Sequence, residues 1–374
     1  MPDQTGVGII GCGNISAAYF RLSPLFSGFE IRACADISEE AARQRAEEFG
    51  VRAHSVDGIL ADDDIDIIIN LTIPAAHFEV SRRVLEAGKH VYSEKPFVLS
   101  VAEGLELSAL AADRGLRVGS APDTFLGGSH QLARNLIDTG AVGAITSGTC
   151  HVMSHGMEDW HPNPDFFFKP GGGPILDLGP YYITNLVQLI GPVKHVAAIA
   201  STPALQRVIT SQPRAGETIA VETPTTFHAL LEFHSGATVT LGASWDVWKH
   251  GHAPMELYGE LGSVFVPDPN FFAGEVQMSK KGENADETLH WDHPFGVNNE
   301  ERGVANYRAA GLADMAQAIR DGRPHRCSLE LALHVVEVMT AILQSGEERQ
   351  FIEMQTRCER PRALSPDQAR ALMR

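Results

Sequence analysis

The stretch GGGPILDLGPYYITNLVQLIG, residues 171–191, opens with three glycines and continues as an apolar helical pattern. It carries one carboxylate, Asp177, and four residues later a phenol, Tyr181. Side chains four apart share a helix face, so the pattern sets an acid beside a proton-carrying hydroxyl. Glycines 171–173 permit close backbone approach at the helix start. A third group, Lys95, stands in the run Glu94-Lys95-Pro96 directly after the strand-like KHVYS. Together these groups can perform acid–base chemistry on a hydroxyl. In general a phenol can carry a proton, an ammonium can stabilise charge developing on an oxygen, and a carboxylate can orient a partner. A phenol has an ordinary pKa of about 10, so it needs a neighbouring cation to act as a base near neutrality. Each residue has another reading: Lys95 as a solvated turn lysine, Asp177 as an acid interacting with the helix dipole, Tyr181 as a core ring.

A second constellation lies at the N-terminus. In TGVGIIGCGNIS an apolar strand from Val7 to Ile10 turns through Gly11 and Gly13 into a helical pattern at Ile15. Gly11 suits the tight turn, Gly13 lets the backbone approach a pyrophosphate, and the amides from Asn14 and Ile15 onward favour that anion. Ser16 stands at the third glycine position, where a small residue is needed for packing. Asp36 ends the next strand, FEIRACAD, where a carboxylate accepts from an adenosine ribose and repels a 2'-phosphate. The pattern therefore predicts NAD rather than NADP. NLTIPAAH closes a later strand and sets Thr72, Pro74 and His77 along the same cofactor; its other reading is an ordinary strand-to-helix turn.

These motifs sit in a chain of alternating elements. Continuously apolar strands separated by amphipathic helices over the first 124 residues predict a doubly wound parallel sheet, a Rossmann domain. Residues 125–374 read as an α+β domain with an open, mainly antiparallel sheet and helices on one face. Its strand signals run from about His195 to Ser279, with a hairpin around Ser235 and Gly236. VANYRAAGLADMAQAIRDG and SLELALHVVEVMTAILQSG read as closing helices. The uncovered sheet face is expected to be apolar and to be buried by a second copy, as a homodimer or homotetramer.

The 374 residues are too many for one typical core. Hydrophobic residues make up 44% and charged residues 21%, ordinary for a soluble protein. A formal net charge of -17 repels phosphate backbones and argues against nucleic acid. No basic-then-apolar leader or membrane-spanning run is apparent, so no membrane association and a cytoplasmic location are expected. The five cysteines form no CxxC pair, which suggests neither a disulfide framework nor a thiolate zinc site.

In order and spacing, GCGNIS, EKP, GGGPILDLGPYY and LADMAQAIRDGRP resemble the Gfo/Idh/MocA oxidoreductases, a family that includes glucose–fructose oxidoreductase and inositol dehydrogenases. The resemblance spans nearly the whole chain. It implies a nicotinamide cofactor held by the first domain, with Glu94 and Lys95 beside it, and substrates that are mostly sugars or polyols. By position it makes Lys95 the active-site lysine and Asp177 the acid of the site helix. Tyr181 falls where many members have histidine and glucose–fructose oxidoreductase has tyrosine. The implied reaction is transfer of a hydride between nicotinamide and a secondary alcohol. Relatives that cleave glycosides with a recycled NAD, and non-catalytic sugar sensors on this fold, are the alternatives. Trp160 and His161, in SHGMEDWHPNPDFFFKP, form either the substrate rim or a packing loop, and Tyr182 belongs to the pocket wall or to helix packing. His250 and His252 in DVWKHGH invite a metal reading, but the family implies none.

Overall fold

The computed structural model describes residues 4–283 and 285–374. The first domain contains β1 (Thr5–Ile10), α1 (Asn14–Leu22), β2 (Phe29–Ala35), α2 (Glu39–Phe49), β3 (Arg52–His54), α3 (Val56–Leu60), β4 (Ile67–Asn70), α4 (His77–Glu86), β5 (His90–Ser93), α5 (Val101–Arg114) and β6 (Val118–Ser120). Its six strands are all parallel, in the order β3-β2-β1-β4-β5-β6. The order reverses beside β1, which opens a crevice at the carboxyl ends of β1 and β4. Ile67, Ile68 and Ile69 are fully buried, as expected of a strand covered on both faces.

Next come α6 (Gly128–Asp138), β7 (Ile145–Met153), α7 (Pro174–Ile190), β8 (Val193–Ser201), β9 (Gln206–Val208), β10 (Thr218–Ala220), β11 (Thr226–Phe233), β12 (Thr238–Ser244), β13 (Met255–Gly259), β14 (Gly262–Val266), β15 (Val276–Lys280) and β16 (Glu287–Leu289). The chain closes with α8 (Ala310–Asp321), α9 (Leu329–Glu348), β17 (Ile352–Glu353) and α10 (Pro366–Leu372). Nine strands form a sheet ordered β16-β15-β14-β13-β7-β12-β11-β8-β17, antiparallel except where β7 lies parallel to β12. The expected hairpin joins β11 to β12, with Gly236 at φ 89. The small β9–β10 hairpin has no counterpart in the sequence reading.

Register explains the two faces of this sheet. One row runs Val196, Leu231, Val239, Gly148, Leu257, Val264, Met278 and is buried under α6, α7 and α9. The adjacent row, pointing the other way, runs Ala197, Leu230, Thr240, Thr149, Glu256, Phe265, Gln277. Period-two alternation thus gives an apolar inner face. The outer face is mixed rather than uniformly apolar, which corrects the expectation above. Leu230 and Ile199 are its large exposed aliphatics.

Two further expectations are revised. The helix read from Val304 begins only at Ala310. Asn299 and Asn306 exchange two hydrogen bonds of 2.7 Å that hold the preceding segment as a loop, and Ala309 takes a left-handed φ of 82. The helix α9 has the length and apolarity to cross a membrane, but 72% of that window is buried. It packs on β8, where Ser345 Oγ accepts the Ala198 N–H at 2.8 Å. The flanks of the last helices also return to the first domain: Met373 bridges Phe26 before β2, and Ser328 bridges Gly119 of β6.

Candidate active site

The first-domain turn fits a dinucleotide. Gly11 has a φ of 106, and a Cβ there would meet the Leu71 carbonyl carbon and oxygen at 2.6 Å. Gly13 is exposed, and a Cβ on it would meet nothing within 4 Å, so the space before the helix is open. No side chain caps α1, which leaves its first amides, around Asn14 and Ile15, available to an anion. Ser16 is fully buried and its hydroxyl donates to the Gly13 carbonyl at 2.6 Å, the packing role expected of a small residue there.

Asp36 lies half-buried just past β2. Its carboxylate accepts the Cys12 N–H at 2.7 Å and the Ser38 N–H at 2.8 Å, so it braces the glycine turn as well as facing the crevice. Ile37 beside it is 98% exposed. Thr72 and Pro74 follow β4 and remain accessible. Asn70 at the strand end accepts both the N–H and the hydroxyl of Thr72, at 3.2 and 2.7 Å.

His77 and Glu94, read from the sequence as cofactor neighbours, have side chains that are buried and bonded within the protein. His77 is 1% exposed, with its ring nitrogens 2.7 Å from the Pro96 carbonyl and 2.9 Å from the Thr72 carbonyl. It ties the two loops of the crevice together from behind. The Glu94 carboxylate is buried and accepts the Tyr19 hydroxyl at 3.0 Å, the Arg308 guanidinium at 2.5 Å and the Lys95 N–H at 3.0 Å. Burial opposes its charge, but Arg308 and Lys95 outweigh that and hold its carboxyl below the ordinary range.

Lys95 projects from the end of β5 toward the start of α7. Its ammonium donates to the Asp177 carboxylate at 2.9 Å and to the Asp177 carbonyl at 2.8 Å. Pro180 inside α7 has no N–H for the Leu176 carbonyl, so this turn of the helix is already loosened. The Lys95 Nζ also lies 5.3 Å from the centre of the Tyr181 ring, within cation–π range. Burial opposes the ammonium, but Tyr181, Asp177 and Glu94 prevail and push its pKa above the ordinary lysine value. The three groups singled out in the sequence therefore meet, on elements from both domains.

Tyr182 turns away. Its hydroxyl donates to Asp268 at 2.8 Å and its side chain is 3% exposed. Burial, reinforced by Asp268, pushes this phenol well up. Of the two readings given above, the buried and bonded side chain favours packing. Trp160 is 62% exposed in the loop leading into α7, with His161 edge-on between it and the Phe166–Phe167 pair. Asp165 of this loop is paired with Arg214. His151 and His252 stack at 4.0 Å and His155 stacks on Trp248 at 3.3 Å. Among the described residues no group of three or more metal-ligating side chains converges.

Sequence reasoning missed Arg308 and Asp123. Arg308 lies 214 positions from Glu94, so no local signal connects them. Asp123 is 3% exposed and accepts the Gly311 N–H at 3.1 Å. Burial, partly offset by Arg308, raises its pKa to about 6. A roomy cavity of about 990 Å³, rich in arginine, lies elsewhere, between the ends of α8 and α9 and the C-terminal strap. None of Lys95, Asp177 and Tyr181 lines it, so the chemistry is assigned to the interdomain cluster.

Comparison with known proteins agrees with this fold. Residues 5–121 match the model of an oxidoreductase family with an NAD-binding Rossmann fold, and residues 130–265 match the GFO/IDH/MocA C-terminal domain. The chain is 31% identical over 191 residues to a dTDP-3,4-didehydro-2,6-dideoxy-alpha-D-glucose 3-reductase of Streptomyces violaceoruber, covering 50% of this chain and 54% of that protein. It thus spans about half the length of that relative. It is 24% identical over 357 residues to D-xylose 1-dehydrogenase (NADP(+)) 2 of Haloferax volcanii, covering 93% of this chain and 99% of that protein. A structure of levoglucosan dehydrogenase in complex with NADH and levoglucosan shares the fold with a TM-score of 0.81 at 20% identity, covering 95% of this chain and all of that one. With both domain models matched in order around the Lys95–Asp177 contact, the chain belongs to the Gfo/Idh/MocA family of oxidoreductases.

Proposed function

We propose that the chain is an NAD-dependent dehydrogenase that transfers a hydride between nicotinamide and a secondary alcohol of a sugar, polyol or inositol. Residues 1–124 hold the cofactor and residues 125–374 bring the substrate to it. The observation that carries the reading is the Lys95 ammonium, held by Asp177 at 2.9 Å with the Tyr181 ring 5.3 Å away, at the carboxyl end of the parallel sheet. When bound, the dinucleotide supplies the hydride acceptor, nicotinamide C4. Tyr181 takes the proton of the substrate hydroxyl. Lys95 donates to the same oxygen and stabilises the charge that develops there. Asp177 is engaged with Lys95, so its part is to hold that ammonium in place. Trp160 and His161 form the rim over which the sugar enters, with the exposed indole available for stacking on a ring.

Asp36 supports NAD over NADP, because a 2'-phosphate would meet its carboxylate. The names of the relatives point both ways on this: one carries NADP and another is a complex with NADH. The five cysteines are unpaired, in keeping with a reducing compartment.

The test is to incubate the purified protein with NAD and a panel of sugars, inositols and glycosides while following NADH fluorescence. Growth of signal with a free sugar or polyol is expected. Loss of glycoside without net NADH would select redox-assisted cleavage instead, and silence throughout would leave a non-catalytic sensor.

A further inference from the structure

The residue before the catalytic lysine is an acid, and this creates an electrostatic problem that the fold must solve. Glu94 and Lys95 are consecutive at the end of β5. The Glu94 carboxylate is 7% exposed and already bonds the Lys95 backbone N–H at 3.0 Å. A buried carboxylate this close attracts the neighbouring ammonium, and little water is present to screen it. Left alone it would compete with Asp177, Tyr181 and a substrate oxygen for the charge of Lys95. The Tyr19 hydroxyl supplies a hydrogen bond to Glu94 but no charge. Asp123, close by, bears the same sign as Glu94 when ionised.

The compensating cation is Arg308. Its guanidinium donates to Glu94 Oε1 at 2.5 Å and lies 5.8 Å from the centre of the Tyr19 ring. The side chain is 22% exposed. The backbone is bent to put it there: Ala309, next in sequence, is fully buried and takes a φ of 82, a left-handed conformation that is unfavourable for a residue with a Cβ.

We propose that Arg308 is a positioning residue that neutralises Glu94, so that the charge of Lys95 is directed to Asp177, the Tyr181 phenol and the substrate oxygen. The proposal rests on the role given to Lys95 above. Both partners that set the Lys95 charge, Asp177 directly and Arg308 through Glu94, come from outside the first domain.

The test needs no known substrate. Lys95 is labelled with trace acetic anhydride in the intact protein, and its rate is measured by peptide mass spectrometry against a denatured reference. Only the free amine reacts, so a higher lysine pKa slows labelling, tenfold per unit. Arg308→Met leaves Glu94 uncompensated and should slow labelling about threefold to tenfold. Glu94→Gln in that background removes the charge that needed compensation and should return the rate to within about twofold of wild type. Arg308→Lys keeps the cation and should label at the wild-type rate, whether or not Arg308→Met folds. An unchanged rate in Arg308→Met overturns the proposal. So does a double variant as slow as the single one, because a packing role would not be rescued by Glu94→Gln, and so does a slowed Arg308→Lys. If labelling behaves as expected but Tyr181→Phe keeps full turnover, the catalytic reading fails and the charge arrangement stands. If Tyr181→Phe loses turnover but labelling is unaffected by Arg308→Met, the reverse holds.

Discussion

Tyr181 and Tyr182 are adjacent, yet their rings serve different sides of α7. The Tyr181 ring lies 5.3 Å from the Lys95 ammonium, whereas the Tyr182 hydroxyl is bound to Asp268 at 2.8 Å. Neighbours on a helix point about 100° apart, so only one of them can share the face of Asp177. Tyr181→Phe removes the proton carrier and keeps the ring, and turnover should fall on the order of a hundredfold with little change in NAD binding. Tyr182→Phe leaves Asp268 without its buried donor. It should cost on the order of 1–3 kcal/mol of stability, read as a lower melting temperature, with turnover largely kept. A dead Tyr182→Phe beside an active Tyr181→Phe would falsify the assignment of the base.

Asp177 is assigned to holding Lys95. Replacing Asp177 with Asn removes one of the charges that raise the Lys95 pKa. The lysine should then lose its proton at lower pH, and the alkaline limb of the kcat profile should move down. A profile displaced upward, or an unmoved limb with only KM raised, would mean that Asp177 contacts substrate instead.

Cofactor choice tests Asp36. Its carboxylate is braced by the Cys12 and Ser38 amides and so cannot swing away from a 2'-phosphate without loosening the glycine turn. Calorimetric titration should find NAD at least about tenfold tighter than NADP, a difference of about 1.4 kcal/mol. Equal affinities would contradict the role given to this residue.

Three buried histidines set the acid limit. Burial lowers the pKa of His130, His293 and His334 to about 4 in the folded chain, against about 6.5 unfolded. Between those values the unfolded chain binds more protons, so stability is full above pH 6.5 and is lost as pH falls through 4. The loss should be on the order of 1–3 kcal/mol per histidine. Melting temperature should therefore drop from pH 6.5 to 4. His334→Gln should flatten that slope while lowering stability at pH 7, because His334 accepts the Val193 N–H at 2.9 Å. A melting temperature independent of pH over this range would mean that these rings bind protons equally in the folded and unfolded chain.

Assembly is expected through the outer face of the nine-stranded sheet, where Leu230 and Ile199 stand exposed among threonines. We infer a homodimer or homotetramer with Leu230 inside the contact. Light scattering should return a multiple of the chain mass, and Leu230→Glu should shift it toward the monomer. A monomeric wild type would leave this face simply solvated.

What the sequence determined by itself was everything set by local spacing. Apolar runs separated by helical periods specify a parallel sheet, because strands covered on both faces have no polar side to show. Gly11 is legible because its strand-to-helix turn needs a positive φ, and Gly13 because a small residue keeps the space before the helix open. Asp177 and Tyr181 are legible because a four-residue spacing fixes a shared helix face. Tertiary structure decided which neighbours claim each side chain. His77, Glu94 and Tyr182 lie beside site residues in sequence, but each is turned inward, to the Pro96 and Thr72 carbonyls, to Arg308 and to Asp268. Arg308 reaches Glu94 from 214 positions away. Local pattern reports backbone conformation and the face on which a side chain starts. The partner that satisfies a buried polar group is chosen by packing that local pattern does not report, within one domain for His77 and Tyr182 and across the two for Glu94.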